Sequence, residues 1–206
     1  MSDLSSRLDD AFAYARSVHQ EQTRKGTGAP YVGHLMGVAS IVLDDGGSED
    51  EAIAGLLHDA AEDHGGRERL ADIRRRFGAA VAAMVEDCTD SWETPKPPWT
   101  ARKQAYIEHA RKLPGSSLRV SAADKVHNAY AILRDLRNVG EQVWERFNAP
   151  PDDVVAYYEG LVRAYREAGG GRLVDELDRI VRGIRREMGY LVMTTTTAGR
   201  RSGRCG

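Results

Sequence analysis

The sequence lacks several features that mark common classes of protein. Cysteine occurs only at Cys88 and Cys205, which are too few and too far apart for a disulfide framework or a sulfur-rich metal site. The 29 lysines and arginines nearly balance 31 acidic residues, so the net charge of -2 offers no general attraction to nucleic-acid phosphates or anionic membranes. We therefore expect no nucleic-acid partner, and we expect Cys88 to be a small core residue.

Long apolar runs are also absent. The longest run, residues 79–85, is too short to span a bilayer. Residues 1–10 are polar and acidic, whereas a signal peptide begins with a basic and then an apolar stretch. These features predict a cytoplasmic protein without a membrane partner.

The third absence is the period-two alternation of β-strands. Apolar residues recur instead at helical spacing through most of the chain. The first helix is predicted to end near Thr23, before a loop with two glycines and a proline, and Ser48 and Glu51 have the spacing of a capping box that starts the third. A long helix is predicted at about 117–138, with these core positions: Val126, Ala129, Tyr130, Leu133 and Leu136.

These patterns predict an all-α fold, a compact multi-helix bundle formed by one domain over residues 1–190. Residues 191–206 are rich in threonine and glycine and lack helical periodicity, so we expect a disordered tail there. The sequence leaves the oligomeric state open.

Chemistry-bearing residues concentrate in the third predicted helix, in the string LLHDAAED. At about 100° per residue, His58, Asp59, Glu62 and Asp63 would fall within an arc of about 140° on a continuous helix. Apolar residues precede them directly, so the carboxylates lie at the edge of a predicted core, where unpaired charge is costly. A divalent cation would remove that cost.

Two further candidate ligands are expected near the starts of other helices. His34 follows the loop APYVG, and Asp124 lies in SAADKVHN. With His58 and Asp59 they form a set of two imidazoles and two carboxylates, which suits manganese, iron, cobalt, nickel or zinc better than calcium or magnesium. Ligand types alone do not choose among those metals.

The order of these residues resembles the HD-domain superfamily, whose signature is a histidine, an adjacent His-Asp pair and a distant aspartate. Here His58 lies 24 positions after His34, and Asp124 lies 65 positions after Asp59. Four pieces are similar to the hydrolase domain of RelA/SpoT-type alarmone enzymes and to the stand-alone small alarmone hydrolases: RKGTGAPYVGH, LLHDAAED, the FG of RRRFGAAVAAMVEDCTD, and ADKVHN. Four ordered pieces are a more specific signal than a single HD dipeptide.

The resemblance implies an HD-domain bundle and a role for each matching position. It implies a bound metal, which is manganese in the family, with these ligands: His34, His58, Asp59 and Asp124. It implies that the acidic pair Glu62 and Asp63 acts on the attacking water and the leaving group. It implies nucleotide contacts at Arg24, Lys25, Lys103 and Asn128, with Arg102 beside them. The implied reaction releases the 3′-pyrophosphate of ppGpp, a small phosphorylated nucleotide, and leaves GDP.

Two alternatives stay open at this point. The first is an HD-type phosphohydrolase of another nucleotide, such as a nucleoside monophosphate, NADPH or ppApp, because the loop after Arg24 departs from the family pattern. His34 is followed by leucine where the family usually has proline, and His64 replaces the usual threonine. The second is a non-catalytic nucleotide sensor. His127 could either support a ligand or lie on a helix surface.

Overall fold

The protein is a bundle of α-helices in a computed structural model that describes residues 4–93 and 95–201. The helices are α1 (Ser6–Val18), α2 (Val32–Asp44), α3 (Glu49–Leu57), α4 (Ala60–Asp63), α5 (Gly66–Phe77), α6 (Ala79–Cys88), α7 (Trp99–Ala110), α8 (Gly115–Val139), α9 (Pro151–Glu167) and α10 (Arg172–Arg201), with a 3-10 helix at Gly140–Arg146.

The predicted all-α class is confirmed. Within the two described ranges, β pairing is limited to an isolated bridge between Thr23 and Pro30, which closes the loop between α1 and α2. Cys88 is buried at the end of α6, as expected for a core residue.

Local signals account for the helix starts better than for the helix ends. Ser48 and Glu51 form both reciprocal bonds of the capping box at the start of α3. α1, in contrast, ends at Val18 rather than near Thr23. The following residues use their backbone groups to close the loop instead, since the Tyr31 N–H donates to the Gln22 carbonyl at 2.9 Å.

α8 is the central helix of the bundle, and it packs against α2, α3, α6, α9 and α10. Four of its five predicted core positions are buried. The prediction for Tyr130 was wrong, since 59% of this residue is exposed. One residue advances a helix by about 100°, which carries Tyr130 from the buried side at Ala129 to the rim of a surface groove beside Ile41 and Ile180.

The last helix passes the predicted domain boundary. The described backbone of α10 continues to Arg201, and residues 202–206 lie outside the described residues. The division of the chain at residue 191 therefore stays a prediction. None of the helices in the described part of the chain combines the length and apolarity needed to cross a membrane.

Candidate active site

Three helical segments bring the four candidate metal ligands together. His34 comes from the first turn of α2, His58 and Asp59 from the junction of α3 and α4, and Asp124 from α8. His34 Nε2 lies 3.2 Å from Asp124 Oδ1 and 3.7 Å from Asp59 Oδ2. His58 Nε2 lies 3.0 Å from Asp59 Oδ2 and 3.5 Å from Asp124 Oδ1. Four side chains from three segments that are distant in sequence thus lie close together.

The donor atoms at this point fit a cation. Both imidazole Nε2 atoms, of His34 and His58, are buried without a hydrogen bond of acceptable geometry, although carboxylate oxygens lie within 3.0 to 3.7 Å. One ligand atom each from His34, His58 and Asp59 lies within 4.8 Å of the other two. Asp124 Oδ1 also faces both imidazoles, 3.2 Å from His34 Nε2 and 3.5 Å from His58 Nε2. Unpartnered buried nitrogens facing carboxylates are what a metal ion would satisfy.

Each imidazole is oriented through its second nitrogen. His58 Nδ1 lies 2.8 Å from the Gly55 carbonyl, and His34 Nδ1 lies 2.9 Å from Nδ1 of His127. Such contacts decide which ring nitrogen faces the metal. The open choice for His127 is thereby resolved, because it contacts a candidate ligand and is not an isolated surface group.

The two carboxylates are held in the same way. The Tyr31 hydroxyl donates to Asp59 Oδ2 at 2.5 Å. Asp124 receives Asn128 Nδ2 on Oδ1 at 2.6 Å and Lys125 Nζ on Oδ2 at 2.5 Å. Each group is therefore fixed by a neighbour as well as by its own helix.

The charges around the cluster favour ionised carboxylates. Burial alone would raise the pKa of Asp124, but Lys125 and His58 outweigh that effect and hold the pKa well below its ordinary value. Burial lowers the pKa of His34, which favours the neutral imidazole that binds metals. Burial alone would lower the pKa of His58. The nearby carboxylates of Asp59 and Asp124 together outweigh burial and raise this pKa, so the surroundings of the ring favour its positively charged form.

The HD motif does not lie on one continuous helix, and this prediction was wrong. α3 ends at Leu57 and α4 begins at Ala60. The His58 ring contacts the Gly55 carbonyl, which an uninterrupted helix would offer to the backbone N–H of Asp59. A side chain that competes for the helical carbonyl is a recognised cause of such a break.

Consequently, the acidic pair after the break does not join the four-residue cluster. Glu62 accepts the backbone N–H of Asp90 at 2.8 Å and Lys96 Nζ at 2.6 Å. Asp63 is exposed and accepts from Gln22 Nε2 at 2.8 Å. The two carboxylates face different partners.

A cleft of about 450 Å³ adjoins the cluster and is lined by all four predicted nucleotide-binding residues, Arg24, Lys25, Lys103 and Asn128. Asp63 and Arg102 line it as well. Two residues that line the cleft also contact the cluster. Tyr31 donates to Asp59, and Asn128 donates to Asp124. Asn128 also accepts a hydrogen bond from Arg24 Nη2 at 2.9 Å. Asp90 pairs with Arg102 and, at 2.8 Å, with Lys103.

Several cleft residues were missed by the sequence analysis. Arg146, Phe147 and Asn148 line the cleft from the end of the 3-10 helix, where no motif marks them. Gln22 and Tyr31 flank the RKGTGAP loop, and their proximity to that motif was the only available signal.

Comparison with known proteins shows the family of the chain. A family model for the HD domain matches residues 11–154, which is more than half of the chain. The chain belongs to the HD-domain family. An HD domain implies a divalent metal, and the donor set described above suits one.

Relatives of this HD-domain protein include guanosine-3′,5′-bis(diphosphate) 3′-pyrophosphohydrolases named MESH1. The Homo sapiens protein is 36% identical over 148 residues, which cover 70% of this chain and 77% of that protein. The Xenopus tropicalis protein is 35% identical over 147 residues, with the same shares covered.

Solved structures share the fold of this HD-domain protein. One, described as a metazoan orthologue of SpoT that hydrolyses ppGpp, has a TM-score of 0.73 and 26% identity and covers 91% of this chain and 99% of its own. The protein lmo0812 of Listeria monocytogenes has a TM-score of 0.65 and 32% identity over 73% of this chain and 97% of its own.

Proposed function

We propose that this protein is a manganese-dependent hydrolase that removes the 3′-pyrophosphate of ppGpp and yields GDP and pyrophosphate. One observation carries the proposal: the unpartnered Nε2 atoms of His34 and His58 face the carboxylates of Asp59 and Asp124. Tyr31 and Asn128 connect this cluster to a cleft lined with basic residues. The names of the MESH1 relatives support the choice of substrate.

The metal would be held by His34, His58, Asp59 and Asp124. When bound, a divalent cation supplies Lewis-acid activation of a phosphoryl oxygen and of water at near-neutral pH. Manganese is our choice among the metals that accept two imidazoles and two carboxylates.

The cleft residues would bind the charged substrate. Lys25, Lys103 and Arg102 line the cleft, and we assign them to contact the two diphosphate groups. Arg24 and Asn128 form a bonded pair that reaches from the cleft to Asp124, so a nucleotide held by them lies beside the cluster.

The acidic pair would move the protons of the reaction. Water adds its oxygen to the phosphorus of the 3′-diphosphate, the bond from that phosphorus to the ribose 3′-oxygen breaks, and the 3′-oxygen needs a proton. Asp63 lines the cleft, and Glu62 lies one residue before it. We assign proton transfer to these two carboxylates, which act within hydrogen-bond reach or through one water.

The expected partner is a small phosphorylated nucleotide rather than a nucleic acid. The cytoplasmic location expected from the sequence stays a prediction.

The proposal is tested with purified protein stripped of metal and reloaded with Mn²⁺. Separation of nucleotides by anion exchange should show ppGpp converted to GDP, with pyrophosphate released in equal amount. ppApp, NADPH and GMP serve as competing substrates, and His58→Ala should bind no Mn²⁺ and be inactive. Failure of the Mn²⁺-loaded protein to hydrolyse ppGpp, or a higher kcat/KM for another nucleotide, would overturn the proposal.

A further inference from the structure

Gln22 lies at the centre of a hydrogen-bonded network beside the cleft. Its Oε1 is 2.6 Å from His19 Nδ1 and 2.7 Å from His64 Nε2, and its Nε2 is 2.8 Å from Asp63 Oδ2. The His19 and His64 rings contact each other edge to face, with centroids 4.8 Å apart. One amide therefore connects two imidazoles to a carboxylate.

The chemistry of the partners allows only one orientation of this amide. A carboxylate only accepts hydrogen bonds, so it must face the NH₂ group of Gln22. The amide oxygen then faces both rings, and each ring must present an N–H to it. The reversed amide would place its oxygen against the carboxylate of Asp63 and lose that bond.

His19 is constrained further by its burial. It is 2% exposed, and its Nε2 is buried without a partner in the described part of the chain. An unprotonated Nε2 leaves only a lone pair unsatisfied, whereas an N–H there would leave a buried donor without an acceptor. His19 also stacks on Tyr31, with ring centroids 5.3 Å apart. The ring therefore carries its proton on Nδ1, facing Gln22.

His64 is held from its backbone side. Its carbonyl accepts Arg69 Nε at 2.9 Å. The next residue, Gly65, has φ of 98°, a left-handed conformation that glycine adopts without strain. The chain thus turns immediately after His64.

We propose that Gln22 is a positioning residue for Asp63, with its amide locked by N–H donation from His19 and His64. The inference rests on the proposed role of Asp63. Asp63 is exposed, and a solvated carboxylate samples several rotamers. Donation from Gln22 to Oδ2 fixes the carboxylate group, and its second oxygen can then serve the reaction from a constant position.

The ring protonation sites can be measured without any assay of activity. Long-range ¹H–¹⁵N correlation spectra of the full chain should show His19 protonated at Nδ1 and unprotonated at Nε2, and His64 protonated at Nε2. Gln22→Met should perturb both sets of signals, whereas Gln20→Met, at an exposed position in the same segment, should leave them unchanged. His19 protonated only at Nε2 would overturn the proposal.

Kinetics then test the effect on Asp63. Gln22→Met should lower kcat for ppGpp about 10- to 100-fold, the loss expected for a misplaced catalytic group, with KM and Mn²⁺ content near those of the unaltered protein. Its Tm should fall, because the buried His19 Nδ1–H loses its acceptor. Gln20→Met is the control. His64→Gln, which can still donate an N–H to Gln22, should keep most of the activity that His64→Phe loses.

The outcomes separate this inference from the proposed function. An unaltered protein that does not hydrolyse ppGpp contradicts the function, while the spectra still test the network. An active protein in which Gln22→Met leaves kcat unchanged, or in which His64→Gln loses as much activity as His64→Phe, contradicts the positioning role.

Discussion

At the residue scale, the orientation of His34 depends on one neighbouring ring. His34 can present a bare Nε2 to a metal only if its proton is on Nδ1, and Nδ1 of His127 is the acceptor 2.9 Å away. Burial lowers the pKa of His127 to about 4, and the nearby His34 and Arg24 lower it as well, so the acceptor ring is neutral. His34 therefore depends on His127 to keep its Nε2 free for a metal.

We predict that His127→Leu weakens Mn²⁺ binding by about 10- to 100-fold, the usual effect of removing a partner of a metal-ligating histidine. Isothermal titration of the metal-stripped protein measures this. His109→Leu, on α7 and away from the cluster, is the control and should bind as before. Equal affinity in the His127 variant would show that His34 needs no acceptor.

A substitution at Gly37 tests the contact between His34 and His127 in a second way. A Cβ at this position would lie 2.4 Å from the His127 ring. Gly37→Ala should therefore displace the ring and weaken Mn²⁺ binding in the same titration. Gly33→Ala, where an added Cβ meets nothing within 4 Å, should be harmless.

Glu62 should be separable from metal binding. Both of its oxygens accept bonds from groups outside the four-residue cluster, Asp90 N and Lys96 Nζ. We predict that Glu62→Gln lowers kcat for ppGpp about 10²- to 10⁴-fold, the usual contribution of general acid–base catalysis, with unchanged Mn²⁺ content by elemental analysis. Glu68→Gln, at an exposed position on α5, is the control. Loss of Mn²⁺ from the Glu62→Gln variant would instead show that Glu62 is a metal ligand.

At the element scale, close packing of α2 against α3 brings His34 to His58. A Cβ added at Gly55 would lie 3.2 Å from the Ala39 Cα, and backbone atoms yield little. Gly55 also supplies the carbonyl that orients His58. A side chain at position 55 would therefore press on the α2 backbone where the two helices cross.

We predict that Gly55→Val separates these helices, lowers the free energy of unfolding by about 1–3 kcal/mol and weakens Mn²⁺ binding. Urea denaturation and metal titration measure the two effects. The control is Gly189→Val, at an exposed position on α10 where an added Cβ meets nothing within 4 Å. Intact metal affinity in a destabilised Gly55 variant would contradict the link between helix spacing and the site.

At the scale of the whole molecule, a metal at the cluster would connect segments that are far apart in the chain. The ligands come from α2, the α3–α4 junction and α8, and α8 packs against most of the bundle. A ligand that binds only the folded state stabilises it by RT ln(1 + L/Kd), where L is the free ligand concentration, so the effect keeps growing with that concentration even when the site is nearly full.

We predict that Mn²⁺ at about 100 times its Kd stabilises the fold by about 2.7 kcal/mol, seen as a higher Tm by scanning calorimetry. EDTA should reverse the shift, because it removes the metal. His58→Ala should show no Mn²⁺-dependent shift. A Tm unaffected by Mn²⁺ in the unaltered protein would exclude Mn²⁺ binding to the folded state, and a shift that persists in His58→Ala would place the site elsewhere.

The sequence by itself was sufficient for the helical class and for naming the residues that converge at the cluster. Helical periodicity and the capping box at Ser48 are local properties, readable from neighbouring residues. His34, His58, Asp59 and Asp124 could be named because such side chains at the edge of an apolar core need a partner.

Only the tertiary structure decided the helix break at His58, the separate partners of Glu62 and Asp63, and the amide of Gln22 between two histidines. Each depends on groups far apart in the chain, as when Lys96 reaches Glu62 or Gln22 reaches Asp63. Periodicity describes which face a residue lies on when its helix is continuous. It does not reveal where a side chain from another segment competes for a carbonyl or a carboxylate, because that competition exists only after the helices have packed.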